Sequence, residues 1–279
     1  MPDIACVNGR FSPLADAVVG IEDRGFQFGD GVYEVIRTYR GQPFALEAHL
    51  ARLERSAQAL RLPIGDTAPQ WTSMIHEGLR LSRFPETKIY LQITRGAAPR
   101  DHPFPIDRTP TTVLTFRELH PLEISVRRAG VRAVTTDDLR WGRCDIKSVN
   151  LLPNVLARQQ AKEAGVFEAI LIREGLVTEG SVSNVMVVRN GTIQTAPEGP
   201  RILSGVTRAI VLELARKEGL PVSEAFMTRE ELFTASEVFL TGTTVEVLPV
   251  VLVDGRVIGA GGSGPVSQIL VRRWDAMVG

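Results

Sequence analysis

Turn-forming dipeptides constrain the fold of this chain most, because they separate short apolar runs at three places. Asn8-Gly9 and Asp254-Gly255 each lie between strand-like segments, and Asn190-Gly191 turns the chain back after another. Asn-Gly and Asp-Gly favour the positive φ angles of two-residue hairpin turns. The strands therefore come in hairpins, and no strand–helix alternation is sustained. This order predicts an α+β protein with mixed or antiparallel sheets rather than a doubly wound parallel sheet.

Amphipathic helices are predicted between the hairpins. The clearest has an apolar stripe at helical spacing, made of Leu46, Leu50, Leu53, Ala57 and Leu60, which predicts a helix over 47–60. Similar reasoning predicts the other helices, over 69–81, 151–165, 204–218 and 266–277.

Two segments near the N-terminus are expected to be irregular or extended. Three glycines in 25–31 predict a glycine-rich turn, and 44–46 is predicted to begin a return strand. The division that we expect is a small N-terminal lobe (1–118), a linker (119–125) and a larger C-terminal lobe (126–279).

Composition excludes several classes of partner. Lys and Arg together number 32, as do Asp and Glu, so no net charge draws the 279-residue chain to nucleic acid or to an anionic membrane. No signal peptide is recognisable, and no apolar run approaches the ~20 residues that span a bilayer. Two cysteines, Cys6 and Cys144, are too few for a disulfide framework and are typical of a reducing cytosol. We expect a cytoplasmic protein.

Lys147 stands out because it lies where an extended run gives way to a helical one. Most lysines are solvated surface charges, and that remains the alternative interpretation. A lysine that reacts with a carbonyl must lose its proton, which nearby positive charge promotes. Arg140 and Arg143 lie just upstream and favour such a loss, whereas Asp145 opposes it. Lys147 is therefore a candidate covalent anchor for a carbonyl cofactor.

A pyridoxal phosphate site needs three further parts. A carboxylate has to face the pyridine nitrogen, and Glu179, in a loop rich in glycine and serine, is available. An anion pocket is available at the helix start 204–207, at 242–244, and at Arg52. Arg100 and His102 are a candidate clamp for a substrate carboxylate. From the residues alone this assembly is only a suggestion.

Seven segments, in order along the chain, strengthen the interpretation as a pyridoxal phosphate site. They include Asp30-Gly31-Val32-Tyr33-Glu34 and Cys144-Asp145-Ile146-Lys147-Ser148, and together they are 22–34, 49–53, 94–102, 143–152, 177–181, 203–208 and 241–246. In these segments the chain resembles the fold type IV pyridoxal-phosphate-dependent aminotransferases, a family that also holds branched-chain aminotransferases and aminodeoxychorismate lyase. The Arg-Xaa-His pair at 100–102 resembles the members that act on D-amino acids.

The resemblance implies a cofactor, pyridoxal 5'-phosphate, and a role for each matching residue. Lys147 would carry the cofactor covalently and transfer protons, and Glu179 would face the pyridine nitrogen. The phosphate would be held by Arg52, by the amides of Val206 and Thr207, and by Thr243, while Leu203 would pack on the ring. Tyr33, Arg100 and His102 would bind the substrate carboxylate. Arg140, near the phenolic oxygen or Tyr33, and Thr244 are further possibilities.

The implied activity is the ping-pong transamination of D-amino acids, of the type D-alanine plus 2-oxoglutarate giving pyruvate plus D-glutamate. Alternatives on the same fold are a branched-chain L-amino-acid or (R)-amine transaminase and a lyase like that for aminodeoxychorismate. The chain departs from the family pattern at Val182 and Gly242, where hydroxyls are expected. The resemblance also implies a homodimer in which the 100–102 loop acts near the partner's site.

Overall fold

Backbone hydrogen bonds gather the strands into two sheets, one in each of two compact units. The computed structural model describes residues 2–106 and 109–279. The first unit runs to His120 and also includes Ile146–Asn150, and the second comprises Pro121–Asp145 and Leu151–Gly279. The division into lobes at 118 and 126 stays a prediction. The segment that carries Lys147, which that division places in the C-terminal lobe, groups with the first unit.

The first unit contains an antiparallel sheet of six strands with the order β2-β1-β6-β5-β3-β4. The strands are β1 (Ile4–Val7), β2 (Arg10–Pro13), β3 (Gly31–Tyr39), β4 (Gln42–Pro43), β5 (Thr87–Thr94) and β6 (Thr111–Glu118). The helices are α1 (Arg24–Phe28), α2 (Leu46–Ala59) and α3 (Ala68–Ser82), and Leu14–Asp16 forms one 3₁₀ turn.

The apolar stripe predicted for α2 packs on this sheet. Leu50, Leu53 and Ala57 are buried in one cluster with Ile36 of β3 and Ile75 of α3. Burial of side chains this large, at about 25 cal/mol per Å² of apolar surface, is what holds a helix on a sheet. The helix predicted over 47–60 is thus confirmed within one residue at each end.

Two local expectations in this unit are wrong. The glycine-rich stretch forms the short helix α1, because the Asp23 side chain accepts a hydrogen bond from Gly25 N and caps its first turn. The return strand predicted at 44–46 ends after Pro43. Ala45 takes a left-handed conformation (φ 51°, ψ 37°) that begins α2 at Leu46.

The second unit contains a mixed sheet with the order β12-β11-β10-β14-β15-β7-β8-β9-β13, and β16 pairs with β15. The strands are β7 (Val131–Asp137), β8 (Glu168–Arg173), β9 (Leu176–Gly180), β10 (Asn184–Arg189), β11 (Thr192–Thr195), β12 (Val222–Glu224), β13 (Met227–Thr228), β14 (Glu237–Gly242), β15 (Glu246–Val253) and β16 (Arg256–Val257). Three pairs, β7 with β8, β7 with β15 and β11 with β12, are parallel. The α+β class with one antiparallel and one mixed sheet is therefore confirmed.

Five helices complete the second unit: α4 (Ile124–Ala129), α5 (Leu152–Glu163), α6 (Val206–Lys217), α7 (Arg229–Phe233) and α8 (Pro265–Val278). The core on the sheet is aliphatic, with Ile170, Val185, Val187, Leu240 and Leu248 among its buried members. Pro153 lies in the first turn of α5, where a missing N–H costs no helical hydrogen bond. Within the described residues, every helix is too short or too polar to cross a bilayer.

Candidate active site

The Lys147 segment is hydrogen-bonded to strand β3. Tyr33 N donates to Lys147 O at 3.0 Å, and Val149 N donates to Gly31 O at 3.1 Å. Lys147 N donates to Ser56 Oγ of α2 at 3.2 Å. The side chain is half-buried, with Nζ 4.3 Å from the centre of the Tyr33 ring. Lys147 is thus held by a strand and a helix, which is not the setting of an ordinary solvated lysine.

Gly29 allows the segment to approach so closely. Its φ is +65°, and a Cβ at this position would lie 2.5 Å from Asn150 Oδ1. Asn150 Nδ2 donates to Gly29 O at 3.1 Å, which ties the end of the Lys147 segment to the glycine-rich stretch. Glycine is needed here for both conformation and space.

Arg52 of α2 forms a buried ion pair with Glu34 of β3. Its Nε and Nη2 donate to the two oxygens of Glu34, each at 2.7 Å. Burial alone would raise the pKa of Glu34, but the charge and hydrogen bonds of Arg52, together with the hydrogen bond from His49, lower it to about 2. Glu34 is therefore ionised at neutral pH and orients Arg52 by a bidentate contact.

His49 completes the pair from the previous turn of α2. Its Nδ1 lies 2.8 Å from Glu34 Oε2. Burial lowers the pKa of His49, and the charges of Arg52 and Lys147 lower it further, against the opposing effect of Glu34. The imidazole is therefore neutral at pH 7. Because the Glu34 carboxylate accepts only, Nδ1 carries the proton and donates it.

The predicted carboxylate clamp lies on an exposed loop after β5. Arg100 Cζ is 4.7 Å from the centre of the Phe28 ring, and the His102 ring is 5.4 Å from the same ring. Arg24 Nη1 donates to Asp101 O at 2.5 Å and its Nη2 to His102 O at 3.2 Å. The fold therefore brings Arg100 and His102 together on one aromatic side chain, while Tyr33 stands beside Lys147.

In the second unit, Glu179 lies at the centre of a buried polar network. Asn184 Nδ2 donates to Oε2 at 2.9 Å, and Leu203 N lies 3.1 Å from both oxygens. Arg140 Nη1 donates to Oε1. A carboxylate that accepts this many hydrogen bonds from a cation, an amide and a backbone N–H is stabilised in its charged form. Glu179 is thus suited to stand against a positively charged partner.

The other end of this network is the start of α6. Gly205 is the residue before the helix, and a Cβ on it would lie 2.0 Å from Asn184 Oδ1. Asn184 Nδ2 also donates to Leu203 O at 2.9 Å. The amides of Val206 and Thr207 therefore open a helix whose position is fixed by the same asparagine that holds Glu179. The N-terminus of a helix attracts anions through its unpaired amides and its dipole.

The turn between β14 and β15 contributes hydroxyl groups. Thr243 and Thr244 lie in this turn, with Thr243 half-buried and Thr244 exposed. Thr241, at the end of β14, is paired in register with Asn184. Its buried Oγ1 has no hydrogen-bond partner within 2–106 and 109–279. A buried hydroxyl of this kind is consistent with a polar ligand nearby.

Arg140 contacts two carboxylates of the second unit. Its Nε and Nη2 each donate to Asp138 at 2.8 Å, and its Nη1 reaches Glu179. The predicted position near the phenolic oxygen or Tyr33 remains a prediction.

Sequence reasoning missed four residues of these networks: Glu34, His49, Asp138 and Asn184. A signal was present for Glu34, because alternation in β3 places it on the same face as the buried Val32 and Ile36. A charged residue on a core-facing position needs a partner, and α2 supplies it.

Comparisons with known proteins identify the family of this chain. The family model described as Amino-transferase class IV matches residues 31–253. The chain belongs to the class IV aminotransferases.

Among the relatives in this family, a D-alanine aminotransferase from Bacillus licheniformis is 47% identical over 94% of this chain and 92% of its own length. One from Staphylococcus haemolyticus is 40% identical, over 95% and 94% respectively. Among solved structures, a T.th. branched-chain amino acid aminotransferase with pyridoxamine 5'-phosphate has a TM-score of 0.93 at 31% identity, covering 100% of this chain and 94% of that one. The Escherichia coli branched-chain amino acid aminotransferase has a TM-score of 0.93 at 26% identity, with 100% and 95% covered.

Proposed function

We propose that this protein is a pyridoxal-phosphate-dependent aminotransferase that acts on D-amino acids, taking the amino group of D-alanine and passing it to 2-oxoglutarate. The observation that carries the proposal is the 47% identity, over nearly the whole length of both chains, to a D-alanine aminotransferase. The products are then pyruvate and D-glutamate.

The residues present fit the cofactor in each unit taken alone. In the second unit, Glu179 is a buried carboxylate with the hydrogen bonds that keep it ionised, as a protonated pyridine nitrogen requires. The amides at Val206 and Thr207 and the hydroxyl of Thr243 suit a phosphate. In the first unit, Lys147 offers an amine on a segment that is hydrogen-bonded to strand β3. Arg52 is a permanent cation whose orientation Glu34 fixes, which suits an anion such as a phosphate.

Bound pyridoxal phosphate supplies an electron sink for the charge left when the α-proton is removed. Lys147 would hold the cofactor and, as a free amine, would move the proton to and from the α-carbon. Glu179 would hold the proton on the ring nitrogen. Leu203, whose N–H donates to Glu179, would pack on the ring. Tyr33, Arg100 and His102 would bind the substrate carboxylate.

A branched-chain aminotransferase is the second candidate, because solved members with that specificity share the fold at TM-scores of 0.93. Their identity to this chain, 26% and 31%, is well below the 47% of the D-alanine enzyme. One fold supports several specificities, so sequence identity over the whole chain carries more weight than overall shape.

We also infer that the protein is a cytoplasmic homodimer. Both cysteines are free and buried. Val18, Ile21 and Phe26 of the first unit are each more than three-quarters exposed. Apolar side chains of this size in contact with water favour association with a second copy.

One assay tests the function. Purified protein is supplied with D-alanine or L-leucine, each with and without 2-oxoglutarate, and the keto product and the visible absorption of the cofactor are measured. We expect pyruvate from D-alanine only when 2-oxoglutarate is present, and far less product from L-leucine. Pyruvate without an acceptor would indicate a lyase, and preference for L-leucine a branched-chain enzyme.

The variant Lys147→Ala tests the anchor. We expect turnover to fall by on the order of 10³-fold or more, because both the covalent link and the proton carrier are lost. The visible absorption that borohydride abolishes in the wild type should also disappear. Lys162→Ala, which removes an exposed lysine from α5, is the matched control and should behave as the wild type. Colour and turnover that persist in Lys147→Ala would show that the anchor is another residue.

A further inference from the structure

Asp138 is a buried carboxylate that has no role in the proposed function. Its side chain is 0% exposed and lies in the connection after β7. It accepts hydrogen bonds from Arg140 Nε and Nη2, each at 2.8 Å, from the Arg140 amide at 3.1 Å and from Thr178 Oγ1 at 3.0 Å. Asp138 thus takes one whole edge of the Arg140 guanidinium.

Arg140 is consequently shared between two carboxylates. Asp138 holds Nε and Nη2, which leaves Nη1 to reach Glu179. Burial disfavours the charged form of Arg140, but the hydrogen bond to Asp138 and the charges of Glu179 and Asp138 raise its pKa. The guanidinium is therefore a permanent charge whose direction is set by Asp138.

The sharing affects how strongly Glu179 attracts a proton or a protonated partner. An arginine paired with Glu179 alone would stabilise the carboxylate so well that it would be a weak partner for a pyridinium. A second carboxylate on the same guanidinium cancels part of that positive charge. In a buried network such charges are poorly screened.

We propose that Asp138 is a positioning residue that fixes Arg140 against Glu179 and strengthens the hold of Glu179 on the proton of the cofactor's ring nitrogen. The inference rests on the proposed function, since it assigns Asp138 to that same site. Asp138 acts through Arg140 and does not itself touch the cofactor.

Two other groups of the second unit face this network. Arg173 Nη2 lies 3.0 Å from Asp138 Oδ1 and donates to Arg140 O at 2.8 Å, and its side chain is 18% exposed. Cys144 is the other titratable neighbour; burial raises the pKa of its thiol, which is therefore neutral at pH 7. Thr178 is polar but does not titrate. Arg173 thus partly neutralises Asp138, and its removal should have the opposite effect to the removal of Asp138.

The test compares Asp138→Asn with Arg173→Gln in the holoenzyme. Each variant is loaded with pyridoxal phosphate labelled with ¹⁵N in the ring, and the ¹⁵N chemical shift is followed against pH. We expect Asp138→Asn to lower the proton affinity of the ring nitrogen by about tenfold, since a buried negative charge is lost. We expect Arg173→Gln to raise it, since a positive charge is lost.

Opposite changes in the proton affinity of the ring nitrogen indicate an effect of charge. A simple loss of packing would change that affinity in the same direction in both variants. Thr178→Val removes a hydrogen bond to Asp138 without a change of charge and should shift the nitrogen less than Asp138→Asn does. Asp275→Asn, which removes a half-exposed partner of Arg127, is the matched control and should leave the shift unchanged.

The results separate the two claims. Wild-type protein that binds no pyridoxal phosphate would overturn the proposed function, and the role of Asp138 with it. Suppose instead that the wild type binds pyridoxal phosphate. A proton affinity of the ring nitrogen that is unchanged in both variants, or that shifts in the same direction in both, would then overturn the role of Asp138 alone. If Asp138→Asn does not fold, Arg173→Gln decides the question through the expected rise in the proton affinity of the ring nitrogen. The Arg173 side chain is partly exposed, so its replacement should leave the fold intact.

Discussion

Two buried carboxylates in this protein, Glu34 and Asp138, are each compensated by charged partners. Glu34 has a side chain that is 0% exposed and is held by Arg52 and His49. Asp138 is as deeply buried and is held by Arg140. Burial of an isolated charge costs several kcal/mol, so such pairs are stable only with close hydrogen bonds on both sides. These residues fix the orientation of the arginines beside them.

The substitution Glu34→Gln should destabilise the first unit, because it leaves Arg52 buried without its counter-charge. The shift in the pKa of Glu34 from 4.5 to about 2 corresponds to roughly 3 kcal/mol at neutral pH. Because the folded-state pKa is the lower one, this stability is fully present above about pH 4.5 and is lost as the pH falls toward 2. Urea unfolding of both proteins between pH 7 and pH 3 measures the difference.

The matched control is Glu77→Gln, which breaks a bidentate pair with Arg80 on the exposed surface of α3. Surface pairs are screened by water, so we expect no measurable loss. A Glu34→Gln protein as stable as the wild type at pH 7, or a difference that does not shrink on acidification, would contradict the assignment.

At the scale of elements, a short helix and a loop together present the Arg100–His102 pair. The helix α1 provides Phe28, on which both side chains rest, and Arg24, which holds the loop backbone. Arg95 anchors the start of the loop through two hydrogen bonds to Asp30, at 2.8 and 3.0 Å. An exposed loop built in this way loses little entropy when it binds a ligand.

Arg100→Ala should raise KM for D-alanine by roughly 10- to 100-fold, the equivalent of one charge-assisted hydrogen bond to a carboxylate. Cofactor uptake, followed by visible absorption, should remain normal, because the anion pocket lies elsewhere in the sequence. Arg55→Ala removes an exposed arginine from α2 and serves as the control. An unchanged KM in Arg100→Ala would exclude this arginine as the carboxylate clamp.

At the scale of the whole molecule, the sequence order and the grouping in space differ at one place. Ile146–Asn150 lies between two parts of the second unit in the sequence but belongs to the first unit by its contacts. Tyr33, Gly31 and Ser56 bind its backbone. The candidate anchor lysine is therefore positioned by the six-stranded antiparallel sheet of the first unit.

If the protein is a homodimer whose Arg100 serves the partner's site, an inactive variant and a variant with weakened substrate binding should complement each other. Lys147→Ala and Arg100→Ala are mixed, unfolded and refolded together, and transamination of D-alanine is assayed at a concentration below the KM of Arg100→Ala. Random pairing makes half of the dimers mixed, each with one intact site, so about a quarter of the wild-type activity should return. Static light scattering on the wild type provides the mass.

No recovery above the sum of the two separate variants would show that Arg100 serves its own chain. A monomeric mass would overturn the dimer itself. Refolding Lys147→Ala together with Lys162→Ala provides the reference. It shows how much activity returns when an inactive chain is mixed with a chain whose site is intact.

The regular elements were predictable because their signals are local. The apolar stripe of α2 and the hairpin dipeptides depend on residues three or four apart, or adjacent, and these appear directly in the sequence. The two local predictions that failed depend on one side-chain cap and on one backbone angle. Asp23 capped a glycine-rich stretch into α1, and Ala45 adopted a positive φ angle to begin α2.

The sequence by itself determined which family the chain belongs to and which residues are the candidates for its chemistry, because Lys147, Glu179 and the Arg-Xaa-His pair occur in a fixed order within the class IV pattern. Only the tertiary structure decided which groups surround them. Glu34 lies 18 positions from Arg52, and Glu179 lies 39 positions from Arg140. Contacts at such separations depend on strand register and helix packing rather than on local periodicity. The electrostatic setting of the site is therefore a property of the folded chain.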